Sequence, residues 1–183
     1  MSSTRRTQMT RKLFRDALIE LLQTKPLQKI TVKEICEKAD LNRTTFYLHY
    51  DDQEQLLDEI IENFKEGLDR YFPPISDETD RINRLNEYIS YVKDNYKVFR
   101  ILMSNDQALG TRNKILGDLL RERTNTHPAH GRQPEGKYIY FFILDGSISM
   151  ILHWIDNKFD LSPDALARQI DALCYPVYEH YFG

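Results

Sequence analysis

The sequence predicts an all-α fold, an N-terminal three-helix unit followed by a larger helical bundle. Three observations carry this expectation. Apolar residues recur three and four apart along most of the chain, no stretch sustains a period of two, and breakers are scarce, with 7 Gly and 7 Pro in 183 residues.

Each element has its own local reason. Leu13, Phe14, Ala17, Leu18, Leu21 and Leu22 form a stripe one helix face wide, and Pro26 ends that first helix. Thr31 with Glu34 three residues on reads as a capping box for a short helix through Ala39. Asp40-Leu41-Asn42 is a tight turn, and Asn42 caps a second short helix from Arg43 to about His49. Asp51 or Asp52 then caps a long helix from Gln53 to about Tyr71, closed by Pro73-Pro74. Further helices are expected at about 80–94, 96–104 and 107–123. A loop rich in Pro, Gly and His follows over 124–136, and two long helices complete the chain at 137–157 and 163–181. Ser162 caps the last of these, with Pro163 at its first position.

Composition removes several classes of function. Cys36 and Cys174 follow no disulfide or zinc-ligand spacing, so no metal site is indicated and a reducing cytoplasm fits. The first 20 residues lack the apolar run and cleavage site of a signal peptide. Tyr138 to Ile155 is the nearest approach to a membrane span, but it contains Asp145, Gly146, Ser147, Ser149 and His153. One central Asp costs about 3 kcal/mol on insertion, which favours a buried interface helix. The five His join no nucleophile motif and there is no Gly-rich phosphate loop, so an enzyme is the remote alternative and no cofactor is expected.

The net charge of −3 conceals a split. Residues 1–50 carry ten Lys/Arg against five acids, while the other 133 residues carry 15 against 23. A basic end on an acidic body points to an anionic partner for the first segment alone. Two short helices joined by a three-residue turn inside that basic segment suggest a helix-turn-helix, whose second helix enters the DNA major groove. In such a unit Arg43, Thr44 and Thr45 occupy the first turn of the reading helix. Arg43 is suited to bidentate contact with guanine, and the Thr methyls to thymine methyls. Plain solvated charge is the alternative for Lys33 and Arg43. Residues 1–10, with Arg5 and Arg6, read either as a disordered tail of weak electrostatic reach or as an arm that follows the DNA backbone or enters an adjacent minor groove.

Three runs can be set together: Thr31-Val32-Lys33-Glu34-Ile35-Cys36, Ala39-Asp40-Leu41-Asn42-Arg43-Thr44-Thr45-Phe46-Tyr47-Leu48-His49-Tyr50, and Asp52-Gln53-Glu54-Gln55-Leu56-Leu57. Over about residues 10–60 the chain closely resembles the DNA-binding signature of the tetracycline-repressor (TetR/AcrR) family. The resemblance implies DNA binding by Lys33, Asn42, Arg43, Thr44, Thr45, Tyr47, His49 and Gln53, with Tyr47 and His49 meeting phosphates. Two positions depart from the family pattern. Asp40 stands where the turn usually has Gly, which Asp tolerates. Gln53 stands where a phosphate-directed Lys is usual, so a point charge is missing there.

The resemblance also implies a DNA-binding domain over 1–51 and a helical regulatory and dimerisation domain over 52–183. In the family the last two long helices build a four-helix dimer bundle, here residues 137–181. It further implies a small-molecule pocket, for which Tyr91, Phe99, Asp145 and Trp154 are candidates, although aromatics at helical spacing are more often core. The expected function is a homodimeric repressor of a palindromic operator, released by a small effector. Control by a protein partner is the alternative.

Overall fold

The computed structural model describes residues 2–69, 77–103 and 136–182, and among these there are helices and no strand. The helices are α1 (Ser2–Leu22), α2 (Val32–Ala39), α3 (Arg43–Tyr47), α4 (Gln53–Asp69), α5 (Glu78–Asp94), α6 (Tyr96–Met103), α7 (Gly136–Asp156) and α8 (Pro163–Phe182). A single 3₁₀ turn, Leu27–Lys29, lies between α1 and α2. The expected helix at 107–123, most of the loop at 124–136 and Pro73-Pro74 lie outside the described residues. Gly136, placed in that loop by sequence, is instead the buried first residue of α7.

The chain divides into two compact units. The first comprises residues 2–67 with 97–103, so it takes in most of α4 and α6 as well as the three short-range helices. Its core is the apolar stripe anticipated for α1. Phe14 and Leu18 are fully buried, joined by Ile35 of α2, Phe46 of α3 and Leu56 of α4. Phe14 meets Phe46 edge-on at 5.2 Å, and Tyr50 closes the cluster at 5.5 Å from Phe46. Burial of this kind is worth about 1.5–3 kcal/mol per large side chain, so these rings fix α3 to its support. Phe64 of α4 and Phe99 of α6 extend the same core, ring to ring at 6.3 Å.

One expectation for this unit is revised. Residues 2–10 are not a separate tail: α1 runs from Ser2 without interruption. The segment contains no Gly or Pro to stop the helix, and Arg11 and Arg15 anchor it by ion pairs to Glu59 of α4 at 2.7 and 2.8 Å.

The second unit holds α5, α7 and α8, with α8 packed on both of the others. Ile89 and Val92 of α5, Ile148 and Ile151 of α7, and Leu166, Ala167 and Ile170 of α8 form its core. Arg81 of α5 makes a two-pronged ion pair with Asp171 of α8, and its guanidinium lies 3.3 Å from the centre of the Tyr175 ring. α7 is long and apolar enough by composition to cross a membrane; here Ile148, Ile151, Trp154 and Ile155 on one side of it are buried. At its end Lys158 and Phe159 both take left-handed backbone, φ 59 and 62. The Phe159 ring is held there between Trp154 at 5.0 Å and Tyr96 at 5.6 Å.

Candidate nucleic-acid interface

The turn between α2 and α3 is built by caps. The Thr31 hydroxyl accepts from the Glu34 N–H at 3.3 Å, and the Glu34 carboxylate accepts from the Thr31 N–H at 3.0 Å, closing the anticipated capping box. Lys25 donates to the same carboxylate. Chiefly through that bond, and then through the Thr31 backbone, the Glu34 carboxyl is pulled down to about 2. α2 ends on Asp40, whose backbone is left-handed at φ 54, and the next N–H, from Leu41, returns to the Cys36 carbonyl at 3.0 Å. This is the conformation for which a glycine would be ordinary, and Asp is among the few other residues that adopt it at modest cost.

α3 starts immediately afterwards. Asn42 Oδ1 accepts from the Thr45 N–H at 2.7 Å and from its hydroxyl at 2.8 Å. Both residues therefore serve the helix start, and Thr45 is half-buried. Arg43 and Thr44 are exposed, and Tyr47 keeps 57% of its surface in solvent. His49 is half-buried, its ring 6.2 Å from that of Tyr50. Lys33, Asn42 and Arg43 come together around an open hollow of about 510 Å³ between α2 and α3, with Cys36, Glu37, Asp40 and Leu41 completing its wall. Burial pushes the Cys36 thiol up, and the Arg43 charge opposes that shift.

Charge pairing distinguishes six of the ten N-terminal cations. Arg11, Arg15, Lys25 and Lys38 each hold a carboxylate within 2.8 Å. Lys33 has a looser, exposed contact with Glu37 at 3.6 Å, worth little in water. Arg43 has no carboxylate within ion-pair distance among the described residues, so its charge stands open beside the exposed face of α3.

The α4 end differs. The Asp52 carboxylate accepts from the Gln55 N–H at 2.8 Å, and Gln55 Oε1 accepts from the Asp51 N–H at 2.7 Å. Gln53 is half-buried beside this acidic cap.

Sequence reasoning passed over Leu48. It lies one residue beyond α3, still helical at φ −74 and ψ −15, and is 75% exposed. Its spacing of four from Thr44 is the signal that places it on the outer face.

The candidate ligand residues belong to both units. Phe99 is fully buried in the first unit against Phe64, whereas Tyr91, Asp145 and Trp154 belong to the second. The Trp154 indole N–H donates to the Leu161 carbonyl at 2.9 Å, a structural use of its polar edge. Tyr91 and Asp145 are half-buried. On the same unit Tyr138 and Phe142 of α7 are 66% and 68% exposed, and Leu173 of α8 is 63% exposed.

Comparison with known proteins agrees with this construction. Residues 14–60 match the family described as bacterial regulatory proteins, tetR family, and residues 80–175 match a transcriptional regulator C-terminal region of the same group. The uncharacterized HTH-type transcriptional regulator YxbF of Bacillus subtilis (strain 168) is 27% identical over 168 residues. That alignment takes in 85% of this chain but only 42% of YxbF, so the chain spans less than half of that relative's length. A TetR transcriptional regulator from Streptococcus agalactiae 2603V shares the fold with a TM-score of 0.65 at 22% identity, over 95% of this chain and 98% of that one. The dihydroxyacetone kinase operon activator DhaS superposes with a TM-score of 0.54 at 21% identity, over the same shares. With a capped helix-turn-helix at one end, an all-helical remainder and both stretches matched, the chain belongs to the TetR family of transcriptional regulators.

Proposed function

We propose that the protein is a cytoplasmic, homodimeric repressor that binds a palindromic operator through α3 and leaves it when a small molecule occupies the second unit. The observation that carries the reading is the outward face of α3, where Arg43 has no acidic partner among the described residues, on a helix fixed from behind by Phe46 and Tyr50. In this reading Lys33, Asn42, Arg43, Thr44, Thr45, Tyr47, His49 and Gln53 form the DNA surface. Asn42 and Thr45 act mainly by shaping the helix start.

One helix of this length reads only a few base pairs, and two-fold pairing doubles the site. The exposed apolar side chains Tyr138, Phe142 and Leu173 support pairing through residues 137–181, since burying them against a second copy removes a face that otherwise meets water. Tyr91 and Asp145 are the better placed of the ligand candidates, being neither sealed in a core nor fully in solvent. Repression is the simplest outcome of a dimer covering a promoter. One structural neighbour, DhaS, is named an operon activator, so the sign of regulation is part of the test.

The test uses the purified full-length chain. Genomic fragments retained by it should contain an inverted repeat, sedimentation at micromolar concentration should give a dimer, and transcription from the retained promoter should fall when the protein is added. Monomeric sedimentation would remove the palindrome from the reading. A rise in transcription would reverse its sign.

A further inference from the structure

The outward face of α3 carries an apolar group whose only major-groove match is another apolar group. At about 100° of rotation per residue, Leu48 lies on the side of α3 opposite the mean direction of Phe46 and Tyr50, the rings that hold the helix to its core. Its N–H bonds to the Thr44 carbonyl at 3.2 Å, so it stands one turn beyond Thr44 on one exposed ridge. Arg43 and Tyr47 form one flank of that ridge, and the half-buried Thr45 and His49 the other. An isolated exposed leucine is ordinary. This one projects furthest from the support of the helix that meets DNA, next to a threonine methyl.

Leucine offers no donor or acceptor. Against a guanine edge or the cytosine and adenine amino groups it strips water from polar atoms and returns nothing. The thymine 5-methyl is the one base group in the major groove that it matches. We propose that Leu48 is a specificity-determining residue that reads a thymine methyl in each half-site. The inference rests on α3 being the DNA-reading helix.

The experiment separates the two claims. The full-length protein selects duplexes from a random-sequence pool, and the selected duplex is resynthesised with deoxyuridine replacing one thymidine of a half-site at a time, which removes the 5-methyl alone. For the wild-type chain one replacement should weaken binding about fourfold, the value of one buried methyl group. At that position Leu48→Ala should bind the thymine and uracil duplexes equally, and repeating the selection with Leu48→Asn should shift the preferred base there from thymine to adenine. Because Leu48 is largely exposed, both variants should melt with the wild type. The proposal is overturned if no uracil replacement weakens binding, if Leu48→Ala keeps the full penalty at every position, or if Leu48→Asn selects the wild-type sequence. If the wild-type chain enriches no duplex at all, the assignment of α3 fails first.

Discussion

Arg43 is the residue whose removal should separate reading from folding. It is exposed and pairs with no described carboxylate, so Arg43→Ala should leave the melting temperature unchanged. Operator affinity should fall by about 1–3 kcal/mol for each half-site, the worth of a bidentate contact to guanine, in a gel-retardation titration. Gln53→Lys should act in the opposite direction. A cation at the α4 start should tighten binding and steepen the logarithmic salt dependence by about one counterion per subunit, about two for the dimer, read from titrations at several ionic strengths. Glu34 supplies a pH signature. Its carboxyl is held at about 2 in the folded protein and returns to an ordinary glutamate value when unfolded. Its contribution is therefore complete above that ordinary value and is lost as pH falls toward 2. Thermal melts should find Glu34→Gln less stable than wild type at pH 6, with the gap closing on acidification.

At the scale of elements, the turn after α2 is the most informative. Asp40 holds φ 54 without the freedom of glycine, so Asp40→Gly should stabilise the first unit by about 0.5–1 kcal/mol, while Asp40→Val should destabilise it by more. Denaturant midpoints of the two variants check the order. This turn was legible in sequence because everything it needs is local: Thr31 with Glu34, Asn42 with Thr45, and Asp52 with Gln55 are all three residues apart. The start of α1 was not legible, because Ser2, Ser3, Thr4, Thr7 and Thr10 each offer a possible N-cap and so fix no single start, and the ion pairs that hold the helix come from Glu59, 44 residues beyond Arg15. Leu48 was missed for a different reason. Its spacing of four from Thr44 was legible, but the five-residue helix is too short to show its outer face by periodicity alone, and the inward rings of Phe46 and Tyr50 fix that direction. The ligand candidates were chosen by residue type, and type does not reveal that Phe99 packs with Phe64 or that Trp154 donates to Leu161.

For the whole molecule, the central expectation is coupling between assembly and DNA binding. Phe142→Arg places a charge on the exposed apolar face of α7, away from the core residues Ile148 and Ile151. The variant should remain helical by circular dichroism and sediment as a monomer at micromolar concentration. Its operator affinity should fall by far more than that of an α3 variant weakened at one base contact, because an entire half-site is lost. A Phe142→Arg protein that sediments and binds like the wild type would move the dimer contact elsewhere.

The acidic cap of α4 has a consequence for search. Phosphate contacts are blind to sequence, and they hold a regulator on each of the roughly 10⁶–10⁹ competing sites of a chromosome as well as on its target. In the proposed DNA-binding role, with Asp52 bound to the Gln55 amide and Gln53 uncharged, this head has one fewer such hold than one with a lysine at that position. Each visit to random DNA would then be shortened by the same factor as the stay at the operator, so discrimination is preserved while less protein is detained elsewhere. On that proposal, residence at the target is traded for a faster scan of everything else.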